Sequence, residues 1–237
     1  MSFPPQLLAL GVILLFGLAL YLAIRTSRRH QSEADHQLQQ LGFHPLESSP
    51  PELERRVEEL YQTKGEREID IWRVYHRHEL DEDLFLFDAV DTRGDGSEMG
   101  SGVFGMISPN LALPRFSLVT MPGFNRDSLI GGLMDKLLDK VMDYAEGYLQ
   151  LERVDLTDHP DQDDQVVLFG RSPTAVREML DRVGLYSLLR NSIPLQIAGS
   201  GEFITVDISM SNNPNQPEEN LVSRYQTCVE ITRRFMK

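Results

Sequence analysis

The first thirty residues restrict this chain more than any other stretch. Positions 5–24, PQLLALGVILLFGLALYLAI, carry no charge, and Arg25, Arg28 and Arg29 follow directly. As a helix, Leu7 to Ile24 would span about 27 Å, against roughly 30 Å of hydrocarbon in a bilayer. A secretory signal would place positive charge before the apolar run and small residues at a cleavage site after it. Here no Lys or Arg precedes Leu7, and no A-x-A site follows. A core helix of this length would show one polar face, which the run lacks. The pattern predicts a transmembrane anchor with basic flank over 1–29, embedded in the lipid bilayer through residues 5–24. Lys and Arg beside a membrane segment favour the cytoplasmic side. The expectation is therefore a single-pass inner-membrane protein with a cytoplasmic C-terminal body. Residues 32–41 can prolong the helix until Gly42 and Pro45 end it, so 30–45 reads as a juxtamembrane helix and linker.

About 190 residues follow Gly42, enough for one large core or two small ones. From His30 onward 36 acidic residues face 20 basic ones, a net charge near −16. That charge repels nucleic acid and an anionic leaflet alike. The one cysteine, Cys228, rules out an intrachain disulfide and a CxxC site. It falls on a helical stripe with Leu221, Tyr225, Thr232 and Phe235 and reads as a small buried residue.

Along the body, Ser49-Pro50-Pro51-Glu52 has capping-box spacing and opens a helix over 51–63. Alternation over 68–78 and the apolar run 83–90 predict paired strands, with further strands at 103–108 and 116–121 forming an antiparallel meander. A helix is expected from Asp127 or Ser128 to about 145, with Ile130, Leu133, Leu137, Val141 and Tyr144 as its core stripe. Strands at 149–156 and 166–170 and a helix at 173–182 follow. Pro194–Ala198 and Phe203–Ser209 then form a hairpin through Gly199-Ser200-Gly201, and a last helix covers 218–236. The fold class is α+β, an antiparallel-sheet and helix body behind the transmembrane helix. Because strands precede a helix in each half, 46–146 and 147–237 read as two similar subdomains or as two parts of one domain.

Few constellations carry chemistry. His76 and His78 share one strand face and are the candidate metal ligands. Glu79, Asp81 and Asp83 are nearby acids, none fixed by sequence as a third ligand, and a solvated pair is the plainer alternative. Asp91, Asp95, Ser97 and Glu98 lack the ordered spacing of an EF-hand, and Arg93-Gly94-Asp95 is too short to specify adhesion. Asp155, Asp158, His159, Asp161, Asp163 and Asp164 read as a solvated loop. No P-loop, G-x-S-x-G elbow or cofactor motif is present, so neither a catalytic residue nor a cofactor is expected.

Leu113-Pro114-x-Phe116-x-Leu118, Asp155-x-x-Asp158-x-Pro160 and Leu168-x-Gly170 resemble segments of a group of bacterial, often membrane-associated proteins without an assigned activity. The likeness spans about residues 65–237 and departs at 162–165, where Gln and Asp stand in place of an aromatic. It implies no catalytic residue. The functional expectation is a module for protein interaction, self-association or membrane-proximal assembly. The alternatives are a membrane-tethered metal-assisted hydrolase using His76 and His78, or a small-ligand sensor with a cavity between the sheet and the 127–145 helix.

Overall fold

The computed structural model describes residues 33–61, 69–91, 98–120, 149–156, 166–184, 195–207 and 221–236. The chain divides into two compact units, Met1–Phe43 and His44–Lys237. In the first, residues 33–40 are helical. The helix closes with Phe43 N donating to Leu38 O at 2.9 Å and Gly42 N to Gln39 O at 3.0 Å.

The second unit begins with β1 (His44–Pro45), α1 (Pro51–Tyr61), β2 (Ile69–Glu79), β3 (Glu82–Asp91), β4 (Glu98–Ile107) and β5 (Leu113–Thr120). It continues with β6 (Glu152–Arg153), β7 (Val166–Gly170), α2 (Pro173–Val183), β8 (Gln196–Gly201), β9 (Phe203–Asp207) and α3 (Leu221–Arg234). All nine strands join one antiparallel sheet in the order β1-β2-β3-β4-β9-β8-β5-β7-β6.

This architecture corrects the expected fold class in two ways. The two similar subdomains give way to one sheet, because the late hairpin β8–β9 inserts between β4 and β5. The meander therefore stops at β4, whose free edge pairs with β9 through Phe104↔Val206 and Ile107↔Phe203. Second, no helix among the described residues is long and apolar enough to cross a membrane. The transmembrane, single-pass architecture thus has no support in the structure. The run at 5–24 itself lies outside the described residues, as does the expected helix at 127–145.

Local chemistry explains the elements. In α1 the residues Leu53, Val57, Leu60 and Tyr61 recur at helical spacing and are buried. They pack with Val74, Phe85, Phe87, Ala89, Val103, Ala198 and Phe203 on one face of the sheet. Tyr61 Oη and Thr205 Oγ1 share a hydrogen bond at 2.9 Å, fixing the helix end over β9. The expected capping box does not form: the helix starts at Pro51, Pro50 O accepts from Glu54 N, and Ser49 Oγ is buried without a partner among the described residues. At the other end of α1, Arg115 of β5 donates to Leu60 O at 3.1 Å and caps the last turn. Burial, with Arg171 nearby, pulls the Arg115 pKa below its ordinary value.

Adjacent strand residues point to opposite faces, so Phe104 and Phe116 look toward α3. Phe104 meets Tyr225 edge-on at 5.7 Å, and Phe116 stacks on Phe235 at 5.6 Å. Cys228 is buried in that layer, and burial pushes its thiol up to about 12, which leaves it inert as a nucleophile. Pro114, which cannot donate to a ladder, sits where the β5–β8 register shifts between Leu113 and Phe116. The β8–β9 turn is tighter than expected. Gly199 remains within the ladder opposite Ile204, where a Cβ would stand 2.7 Å from Phe116 Cε1. Gly201, at φ +60°, makes the turn with Glu202.

Candidate functional site

The β2–β3 hairpin is shaped by one extra residue. Trp72 pairs with Asp88 and Tyr75 with Leu86, so Arg73 and Val74 together oppose Phe87. The bulge reverses the alternation. Ile69 and Ile71 pack on the α1-side core before it, and Val74 does so after it, so the even positions His76 and His78 inherit that face. Arg73 has φ +50°, and its guanidinium pairs through Nε and Nη2 with Asp88 Oδ2. Asp88 is buried, and its Oδ1 accepts from Gly102 N at 2.7 Å. Both carboxylate oxygens are therefore engaged where β3 and β4 also shift register, between Phe87 and Ala89.

Toward the hairpin end, His76 opposes Phe85, His78 opposes Asp83 and Glu79 opposes Glu82, leaving Leu80 and Asp81 as a two-residue turn. His76 stacks on Phe85 at 4.9 Å. His76 Nε2 and His78 Nδ1 lie 2.8 Å and 2.9 Å from the same oxygen, Asp83 Oδ1. The hydrogen bond to Asp83 is the main cause of a raised His78 pKa, with the charges of Asp83 and Asp81 and a backbone hydrogen bond at Leu80 adding to it. Partial burial alone would raise the Asp83 pKa, but the hydrogen bonds and charges of His78 and His76 outweigh burial and lower it. On the opposite face, Arg77 pairs with Glu79 at 2.9 Å and donates to Tyr225 Oη at 3.4 Å. Arg233 of α3 reaches Glu79 at 3.5 Å. The base of the tip is thus tied to α3, while the rings gather on the α1 side.

Leu80 crowns this arrangement. It is 85% exposed and has φ +56°. Two-residue hairpin loops favour Asn, Asp or Gly, because a Cβ-bearing apolar residue is strained at positive φ. Leu80 therefore combines an unfavourable backbone with an unfavourable environment.

The structure brings His76 and His78 together and selects Asp83, rather than Glu79 or Asp81, as the acid that meets both. Among the described residues no group of three or more His, Cys, Asp or Glu side chains could hold a metal ion. Both rings are directed at one carboxylate oxygen instead. Residues 92–97, with the Arg-Gly-Asp tripeptide, and 157–165, with most of the acidic patch, lie outside the described residues. Sequence reasoning missed Leu80. Its signal was an apolar residue flanked by acids in a turn, H-E-L-D-E-D.

No family model and no curated protein matches the chain. A solved structure, the mycobacterial trehalose monomycolate transport factor A (TtfA), is similar at a TM-score of 0.47 and 10% sequence identity, over 85% of this chain and 89% of that one. That likeness assigns neither a family nor an activity.

Proposed function

We propose that the His44–Lys237 body is a protein-binding module that docks a partner through the β2–β3 hairpin tip. The observation that carries this is Leu80. A left-handed backbone costs a non-glycine residue about 1–2 kcal/mol, and residues held this way gather at ligand clamps and switches. An exposed leucine at that position gives nothing back to the fold, whereas it supplies an apolar anchor to a partner. Beside it, the exposed Asp81 and the half-buried Asp83 give the anchor an acidic flank, in keeping with the strong negative charge of the whole body.

A photo-crosslinking amino acid at position 80, in cells that produce the full chain, tests the proposal, with one at the exposed position 58 of α1 as control. A discrete adduct from position 80 that is absent from position 58 is expected. Mass spectrometry then tells a different protein from a second copy of this chain. Equal or no labelling at the two positions overturns the docking site.

A further inference from the structure

We propose that His76, Asp83 and His78 form a proton-operated clasp that sets the charge and order of the β2–β3 tip, and that the partner docking there presents an apolar recess rimmed by Lys or Arg. The partner's chemistry rests on the reading of Leu80 as an anchor; the clasp does not.

The clasp follows from placement. Two imidazoles on one strand face converge on one oxygen of a carboxylate across the hairpin, and the stacked Phe85 holds His76 in that orientation. His78 also interacts with the Leu80 backbone, so its proton bears directly on the strained residue. Other groups set the background. His44 of β1 is exposed and opposes His76. Asp81 lies in the turn, Glu82 flanks Asp83, and Arg77, Glu79, Tyr225 and Arg233 meet on the other face.

Of the carboxylates in 76–83, Glu79 is paired with Arg77 and Arg233 and Glu82 is buried, so Asp81 and Asp83 set the accessible charge, −2 with neutral rings and zero with both rings protonated. Proton uptake thus strengthens the clasp by giving Asp83 cationic donors and removes most of the acidity that a cationic rim would recognise. Two charges brought to within a Debye length of such a rim weaken docking by about fivefold.

The experiment uses the full chain in two arms. In the first, NMR follows the His78 ring and the Leu80 and Asp81 amides as pH is varied. Wild type is expected to show one shared midpoint, while in Asp83→Asn the ring titrates lower and the amides lose the transition. A His78 midpoint indifferent to Asp83→Asn, or tip amides that ignore it, overturns the clasp. His78→Gln is the check on folding: it must keep a native spectrum and lose the amide transition. In the second arm, the yield of the position-80 adduct is measured between pH 8 and pH 5.5. It is expected to fall about fivefold in wild type and to stay level in His76→Gln/His78→Gln. A yield that rises with acid overturns the cationic partner, and so does a crosslinked surface lacking Lys and Arg. Loss of the adduct at all pH values with the amide coupling intact counts against docking alone.

Discussion

The β2–β3 hairpin carries two non-glycine residues at positive φ, Arg73 within β2 and Leu80 in the turn, and they differ in what surrounds them. Arg73 at φ +50° is the extra residue of a bulge, and its side chain meets a buried carboxylate that also accepts from Gly102 N. The strain there is offset within the fold. It flips the alternation so that His76 and His78 share a face with Val74. Leu80 at φ +56° sits at the hairpin tip with its side chain in solvent. Its side chain gains no burial to set against the strain. The same backbone anomaly is thus architecture at the bulge and points to an interaction at the hairpin tip.

That contrast can be broken at the bulge first. Asp88→Ala removes the acceptor of the Arg73 guanidinium and of Gly102 N and is expected to cost about 2–3 kcal/mol, measured by urea unfolding. A loss below about 0.5 kcal/mol would show that the bulge does not depend on the pair. Arg73→Gly relieves the backbone but discards the ion pair, so a net loss of about 1–2 kcal/mol is expected; a gain would make Arg73 as unsupported as Leu80.

The smallest effect lies in the pH profile of the tip. The contribution from the raised His78 pKa is fully present below the ordinary imidazole range and is lost as pH rises through the raised value. The contribution from the lowered Asp83 pKa is present above the ordinary carboxylate range and is lost as pH falls through the lowered value. Hydrogen-exchange protection at the hairpin end should peak between these limits in wild type and flatten in Asp83→Asn. An unchanged profile would remove the clasp from the contrast.

Much of the layout was legible. The strands at 68–78, 83–90 and 166–170 and the helices at 51–63 and 173–182 lie close to the observed elements, because their apolar periods match the faces they bury. Sheet order was not legible. The pairing of β4 with β9 joins residues about a hundred positions apart, and the edge of β4 carries no local sign of its partner. The bulge was hidden for a related reason: WRVYH reads as unbroken alternation unless Asp88 is known to lie opposite Trp72. Of the candidate site, the shared face of His76 and His78 was evident from spacing. Their convergence on Asp83 depends on a two-residue turn at Leu80-Asp81 with Glu79 opposite Glu82, whereas strands at 68–78 and 83–90 leave the register within 79–82 open.

Leu80→Asn tests the central claim most directly, with stability and docking measured on one protein. Asn tolerates positive φ, so unfolding should show a gain of about 0.5–1 kcal/mol, while the partner adduct, captured from a crosslinker moved to position 81, should be lost. A variant that is less stable than wild type, or one that keeps the adduct, would contradict the account.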